Sequence, residues 1–281
     1  MIKAFILTVV LSMQLIFASG RPIMGNDIFP IKTESSFVSF TDNNKDKEGV
    51  IEKATSLYEL LNLFELGLSK SAYEYAIQGY VTLLSNGKLN NSSVLSIVDF
   101  SHPSSKKRLY VIDLKNGKLL FNTYVAHGRG SGREMASDFS NAPESNKSSL
   151  GFFVTGDTYF GKHGLSLRLI GEEKGINDNA NSRAIVMHSA SYVTEDAIKT
   201  QGFIGRSQGC PALPEALSKP IIDKVKNGSC LFLYSPDKFY LTNSRILKNV
   251  IKEEKSVANN IFKGKYFSSF FMSLFALINH I

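Results

Sequence analysis

The stretch RLYVIDLKNGKLLFNTYVA, residues 108–126, sets the architecture. Leu109, Tyr110, Val111 and Ile112 precede Asn116-Gly117, and Leu119, Leu120, Phe121 and Val125 follow it. Aliphatic β-branched and aromatic side chains favour extended backbone, and Asn-Gly accepts the positive φ values of a two-residue turn. The pattern predicts two strands joined as a hairpin. Working outward, further strand-like runs lie at Gly151 to Thr155, Leu165 to Ile170, Arg183 to Met187 and Cys230 to Tyr234. Long stretches rich in Gly, Ser and Asn separate them, notably 128–149 and 171–182. Loops of that length inside a domain usually carry function. Ahead of the hairpin, Leu57, Leu60, Leu61, Phe64 and Leu68 recur at helical spacing and predict a helix over 51–68. Ser71 caps a second helix running to about Leu84, and Asn86-Gly87 closes it. Pro214 to Val225 reads as another helix. The expected class is β-rich α+β, with an N-terminal helical segment as plain scaffold.

Composition agrees with a folded chain. Of 281 residues, 43% are hydrophobic and 20% charged, enough apolar side chain for a packed core. The formal net charge of +7 is scattered, and no zinc-ligand spacing or nucleic-acid motif accompanies it. Nucleic-acid binding is therefore not expected. A basic surface suits an anionic polymer, though solubility accounts for it equally well. The first twenty residues carry an address: Lys3, an apolar run from Ala4 to Phe17, then Ala18-Ser19-Gly20. That order is the layout of a secretory signal peptide, and export to the periplasm or cell envelope is expected. Residues 21–50 read as a flexible linker, centred on the charged run Thr41 to Glu48. The expected division is then a helical lead-in at 51–100 packed on a catalytic domain at 101–247. A basic linker and apolar tail follow at 248–281. Tyr266 to Ile281 is short for a membrane span, and weak interfacial contact is one possible role.

Chemistry concentrates in Gly205-Arg206-Ser207-Gln208-Gly209-Cys210-Pro211. Gly209 permits close approach of backbone to a ligand, and Pro211 fixes φ and removes a donor. Together they suit a rigid turn that presents a thiol and leaves amide N–H groups for an oxyanion. A free thiol titrates near 8.5 and needs a base to act at neutral pH. His188, at the end of the apolar run Ala184-Ile185-Val186-Met187, is the candidate base. From spacing alone, a buried or disulfide-bonded Cys210 is an equal alternative. The only other cysteine, Cys230, lies in an apolar run and reads as a core thiol. Arg206 could hold a substrate carboxylate bidentately or be a solvated loop charge. Tyr159 and Ser207 are pocket candidates by loop placement. His127 and His163 each precede a glycine and stand either at a cleft or as loop-ordering groups. No H-x-H or H-E-x-x-H spacing occurs, so neither a metal nor another cofactor is expected.

Several segments taken in order resemble the murein L,D-transpeptidase catalytic domain family, a branch of the YkuD-like L,D-transpeptidases. They are Val125-Ala126-His127-Gly128, Phe139-Ser140-Asn141, Ser148-Ser149-Leu150-Gly151, Tyr159 to Leu167, Ala184 to Ala190 and Gly205 to Pro211, spread over about 57–247. The resemblance implies a YkuD-like β-sandwich catalytic domain, acting as a monomer on peptidoglycan stem peptides. It implies that Cys210 attacks the carbonyl before a D-amino acid and forms a thioester. An amine of another stem then resolves it as a cross-link. His188 would carry the proton, a main-chain carbonyl at Ser189 would orient the imidazole, and the Gly209 and Cys210 amides would hold the oxyanion. Arg206, Ser207, Gln208, Tyr159, His127 and His163 would lie near the substrate. One position departs: Gln208 stands where the better-known branch has a second histidine. An amide cannot titrate, so His188 is left as the sole base at that edge. The same departure leaves open hydrolysis of stem peptides by an L,D-carboxypeptidase or amidase, or a wall-binding protein with an idle thiol.

Overall fold

The computed structural model describes residue 54 and residues 56–248. The signal-peptide and linker expectations at 1–20 and 21–50, and the tail beyond Lys248, lie outside the described residues. The chain enters through a helical turn at 56–60, followed by turns at 61–67. The helix expected over 51–68 therefore stops early. Asn62 at φ 49° and Gly67 at φ 91° take left-handed backbone that a helix cannot continue through. Helix α1 (Lys70–Ser85) follows and ends at Asn86 and Gly87, the latter at φ 64°. Its cap residue is Ser69, not Ser71. Ser69 leaves the helix alone and gives its N–H and Oγ to Asp99, at 3.0 and 2.6 Å.

Eight strands form one sheet in the order β3-β2-β1-β8-β4-β5-β6-β7. They are β1 (Val94–Asp99), β2 (Leu109–Asp113), β3 (Lys118–Thr123), β4 (Gly151–Gly161), β5 (Gly164–Gly171), β6 (Val186–Ser189), β7 (Ala212–Leu213) and β8 (Cys230–Tyr234). The β2–β3 hairpin forms as expected, but four residues, 114–117, join its strands in place of a two-residue turn, and of Asn116 and Gly117 only Gly117 takes positive φ, at 60°. β1 and β8 run parallel at the centre and are buried along their length, which is why β8 reads as an unbroken apolar run; in β1 Ser96 and Asp99 break the pattern. β6 and β7 are also parallel, and the other pairs are antiparallel. The chain just past β3 returns to β7: Ala126 N–H bonds Ala212 O at 2.9 Å. The β-rich α+β class therefore holds, with the strands in a single sheet curled until its edges meet. The lead-in at 51–100 is more than helical, because it supplies the central strand β1.

Helix α1 lies against β1 and β8. Tyr234 Oη meets Ser71 Oγ at 3.1 Å, so the Phe232 and Tyr234 face of β8 looks toward α1. The approach is close at Gly79, where a Cβ would stand 2.0 Å from the Phe152 ring. That ring stacks on Phe232 with centroids 4.1 Å apart. The short helices α2 (Glu195–Gln201), α3 (Glu215–Val225) and α4 (Lys238–Asn243) complete the unit, α3 packing on β1, β5 and β6. A buried carboxylate, Glu173, fastens the 171–185 loop. It accepts from Phe152 N–H at 2.8 Å, from Tyr240 Oη at 3.1 Å and from Ser244 Oγ. No helix among the described residues is long and apolar enough to cross a membrane.

Candidate active site

The register of β6 and β7 brings the two chemical groups together. His188 pairs with Ala212 and Ser189 with Leu213 in parallel register. Two residues back, that register sets Cys210 opposite Val186, and the Val186 N–H reaches Cys210 Sγ at 3.5 Å. Cys210 lies in the bend just before β7, and its contact with Val186, two residues before His188 on β6, brings the thiol to the strand that carries the imidazole. The row of His188 continues across the sheet, since Ser166 pairs with His188 and Tyr159 with Ser166. Tyr159 thus lies two strands from the imidazole on its face, with the Arg168 guanidinium over its ring at 4.6 Å.

His188 is oriented by its neighbour. Its Nδ1 lies 2.7 Å from Ser189 O. A carbonyl only accepts, so Nδ1 carries the proton and Nε2 keeps the lone pair. Burial lowers the His188 pKa; the Ser189 carbonyl opposes this, and charge on His163 adds to the lowering. The imidazole is therefore neutral and basic at neutral pH. His163, exposed at the tip of the β4–β5 hairpin, stacks on His188 with centroids 4.4 Å apart. Its carbonyl accepts from Ser189 Oγ at 3.2 Å, which pins the tip.

Cys210 and Cys230 are both free thiols. Cys230 is wholly buried in β8, where burial drives its pKa far up. Cys210 is half-buried, and burial raises its pKa as well. The Val186 N–H, the Arg183 charge and its own amide oppose that rise. Besides accepting from Val186, the thiol donates to Ala184 O at 3.7 Å. Ala184 sits at φ 51°, left-handed backbone that costs a non-glycine residue on the order of 1 kcal/mol or more. Among the described residues the thiol makes no hydrogen bond to His188, so proton transfer requires a rotation of the Cys210 side chain.

The turn around the thiol is fixed by hydroxyls. Ser207 Oγ accepts the Gly209 N–H at 3.0 Å and donates to Cys210 O at 2.6 Å. Ser148 Oγ accepts the Gly128 N–H at 3.0 Å and donates to Gly209 O at 3.1 Å. Gly209 adopts φ 125°, and a Cβ there would meet Lys147 O at 2.8 Å. Only glycine fits. Of the two amides expected to hold an oxyanion, that of Gly209 is thus bound to Ser207. The Cys210 amide faces its own sulfur.

The remaining expected residues divide. Ser207 is buried and spends its hydroxyl on the turn. Gln208 is exposed beside the thiol segment. Arg206 is exposed and donates to Gly132 O at 3.0 Å, while its guanidinium and that of Arg133 both lie over Phe203. His127 is completely buried. Arg108 Nη2 donates to its Nδ1 at 2.8 Å, and its Nε2–H faces Gly132 O at 3.3 Å. Burial and the Arg108 charge lower its pKa to about 4. Both ring nitrogens are engaged, so His127 orders the 127–132 loop and has no atom left for a substrate. Arg108, itself fully buried, was legible only as the start of a strand, as was Arg183, and Ser148 only as part of a segment that resembles the family; none was read as a site residue. No group of three His, Cys, Asp or Glu able to hold a metal ion occurs among the described residues.

A sequence model of the L,D-transpeptidase catalytic domain matches residues 65–234. The chain belongs to that family. Among solved structures, an L,D-transpeptidase from Mycobacterium smegmatis is 15% identical at a TM-score of 0.31, covering 51% of this chain and 59% of its own. One from Stackebrandtia nassauensis is 14% identical at 0.31, covering 69% and 91%. A fused Zn-dependent amidase/peptidase/peptidoglycan-binding protein from Clostridium acetobutylicum is 16% identical at 0.30, covering 70% and 65%. The chain thus spans about three fifths of the mycobacterial structure. No curated protein matches it.

Proposed function

We propose that this L,D-transpeptidase family member is an exported cysteine acyltransferase that cross-links peptidoglycan stem peptides. The observation that carries the reading is the pairing of segments: Cys210, just before β7, has its sulfur on Val186 of β6, two residues from His188, whose Nδ1 is held by Ser189 O so that Nε2 is the base. In the first step the thiol proton passes to His188 Nε2 as Sγ bonds the stem carbonyl carbon. The carbon–nitrogen bond then breaks, and the leaving D-amino acid takes that proton on its amine. A side-chain amine of a second stem attacks the thioester, gives up its proton through His188 and frees the thiol. The Cys210 amide, beside its own sulfur, is the donor in reach of the developing oxyanion, since the Gly209 amide is bound to Ser207 Oγ. Tyr159 and His163 on the imidazole's row, and Arg206 and Gln208 on the exposed side of the turn, are the groups in reach of the stem. Export is part of the reading, since peptidoglycan lies outside the cytoplasm and residues 1–20 have the layout of a signal peptide.

The test is incubation of the purified protein with stem tetrapeptides, with and without an amine acceptor. Intact mass should show a thioester adduct that maps to Cys210 and is absent from Cys210→Ala. Cross-linked product supports transfer. Tripeptide with no cross-link would assign hydrolysis instead, and no adduct from either a stem peptide or a carbapenem would leave a wall-binding role.

A further inference from the structure

We infer that Arg183 is a positioning residue that supplies a fixed positive charge to the Cys210 thiolate and so sets the pH range in which that thiol reacts. The inference rests on Cys210 being the reactive thiol of the reading above, whatever its natural acyl donor. Arg183 stands at the end of the 171–185 loop, three residues before Val186. Its guanidinium makes four hydrogen bonds, all to the 140–149 loop: Nη1 to Ser140 O at 2.8 Å and Ser149 Oγ at 2.6 Å, Nη2 to Ser145 Oγ at 3.1 Å and Lys147 O at 2.7 Å. All four acceptors are neutral, and among the described residues no ion pair includes Arg183. The charge is held in place without being cancelled. It is also beside the nucleophile, because a Cβ on Gly209 would come within 3.4 Å of Nη2.

The segment that follows Arg183 wraps the same sulfur. Ala184 O and Val186 N–H are the thiol's two hydrogen-bond partners, and the left-handed Ala184 joins them to Arg183. Other titratable or charged groups near the thiol leave the role to Arg183. Lys147 is committed to Asp138 at 2.5 Å. Tyr192, from the turn after β6, is a neutral phenol whose pKa is raised to about 12, by burial first and then by the thiolate itself. His188 is neutral until it accepts the proton, and His163 stacks on its ring. Burial works against the thiolate, and of the surrounding groups only the guanidinium is a permanent cation.

The alternative is that Arg183 merely clamps the 140–149 loop. The two roles separate by charge. Arg183→Lys keeps the charge and loses the planar fork. Arg183→Gln loses the charge and keeps a donor, and Ser149→Ala removes one loop bond with the charge in place. The rate of Cys210 alkylation by iodoacetamide, followed by intact mass across pH 6–10, reads the thiolate directly. Thermal melts of the same samples read the clamp. Arg183→Gln is expected to slow alkylation about tenfold at pH 7 and to approach wild type at high pH, as loss of one nearby charge requires. Arg183→Lys and Ser149→Ala should keep the wild-type pH onset even where they melt earlier. If melts fall while all three variants alkylate with the wild-type profile, Arg183 is a clamp only. If Arg183→Gln does not fold, the other two decide, and an onset moved upward in either overturns the inference. A shifted profile in a protein that never acylates from stem peptides would sink the proposed function and leave this inference standing.

Discussion

Replacing His188 separates its two contributions, chemical and structural. The residue is not at an open rim: it is only 3% exposed and carries His163 on its ring. Truncation to alanine should therefore cost about 2–3 kcal/mol of stability in addition to the base. His188→Asn is the cleaner change, because the amide can still donate to Ser189 O as Nδ1 does. It should melt near wild type while losing the Nε2 lone pair. General-base help is typically worth ~10²–10⁴-fold, or about 3–5 kcal/mol of barrier. In the wild type, acylation should switch on below the pH at which an ordinary histidine titrates, since burial lowers the His188 pKa and keeps the base form present. In His188→Asn the rate should instead climb with ionisation of the thiol, which burial displaces upward. Acyl-enzyme formation followed by quenched intact mass from pH 5 to 10, with melts at each pH, measures both. An Asn variant acylating within threefold of wild type at pH 6–7 would show that another group takes the proton.

His127→Gln should remove an acid sensitivity: its low pKa means that the fold excludes a proton the unfolded chain accepts, so stability falls from about pH 6.5 down to about 4. That loss approaches 3 kcal/mol by linkage, and urea titrations at pH 7 and 4 should show it in wild type and not in the variant. Gly79→Ala should destabilise by about 2–3 kcal/mol through the clash with Phe152, with recovery in the Gly79→Ala, Phe152→Leu double variant, read by thermal melts. Ser207→Ala should cost about 1–2 kcal/mol of stability, and acylation should fall because the Gly209–Cys210 turn loses its two bonds to Ser207 and keeps only that from Ser148, followed by adduct mass. Gln208→Ala should leave the pH onset of acylation unmoved, because the side chain it removes cannot titrate.

What the sequence disclosed and what it hid follow one physical division. Elements defined by a continuous local pattern were legible: the Asn116-Gly117 hairpin, the apolar run Cys230 to Tyr234 and the helix ending at Val225. β1 was passed over although all six of its residues are buried, because Ser96 and Asp99 interrupt the apolar pattern. Asp99 is satisfied by Ser101 two residues on and by Ser69 thirty residues back, and no local window contains the second partner. The β4–β5 hairpin runs well past Thr155, which the sequence did not mark because its tip residues are glycine, lysine and histidine, poor strand formers; pairing of the two strands with each other extends to Gly161 and Gly164. At the site, the chemistry-bearing types Cys210 and His188 stood out and their setting did not. Ser148 and Arg183 act through hydrogen bonds to groups far away in the chain, and Ser207 through bonds that form only in the folded turn; a serine or arginine in a polar loop looks the same whether or not it makes them.

Burial biases the two reacting groups in the same direction. It raises the Cys210 thiol and lowers the His188 imidazole, so the folded protein favours the neutral pair over the thiolate–imidazolium pair. The thiol's donation to Ala184 O keeps the proton on sulfur, while the Val186 N–H, which donates to sulfur, works the other way. A nucleophile stored with its proton is poorly reactive toward small oxidants and electrophiles, because the thiolate is the reactive species. Activation then requires that the bond to Ala184 O be given up as the side chain turns to His188. A carbonyl carbon placed over the sulfur supplies the compensation, since the forming carbon–sulfur bond removes the charge that burial penalises. The proton moves as that bond forms, and the imidazolium it creates faces an oxyanion of opposite sign. The arrangement makes Cys210 slow toward reagents that need a thiolate in advance and fast toward a bound acyl donor that takes up the charge as it arises.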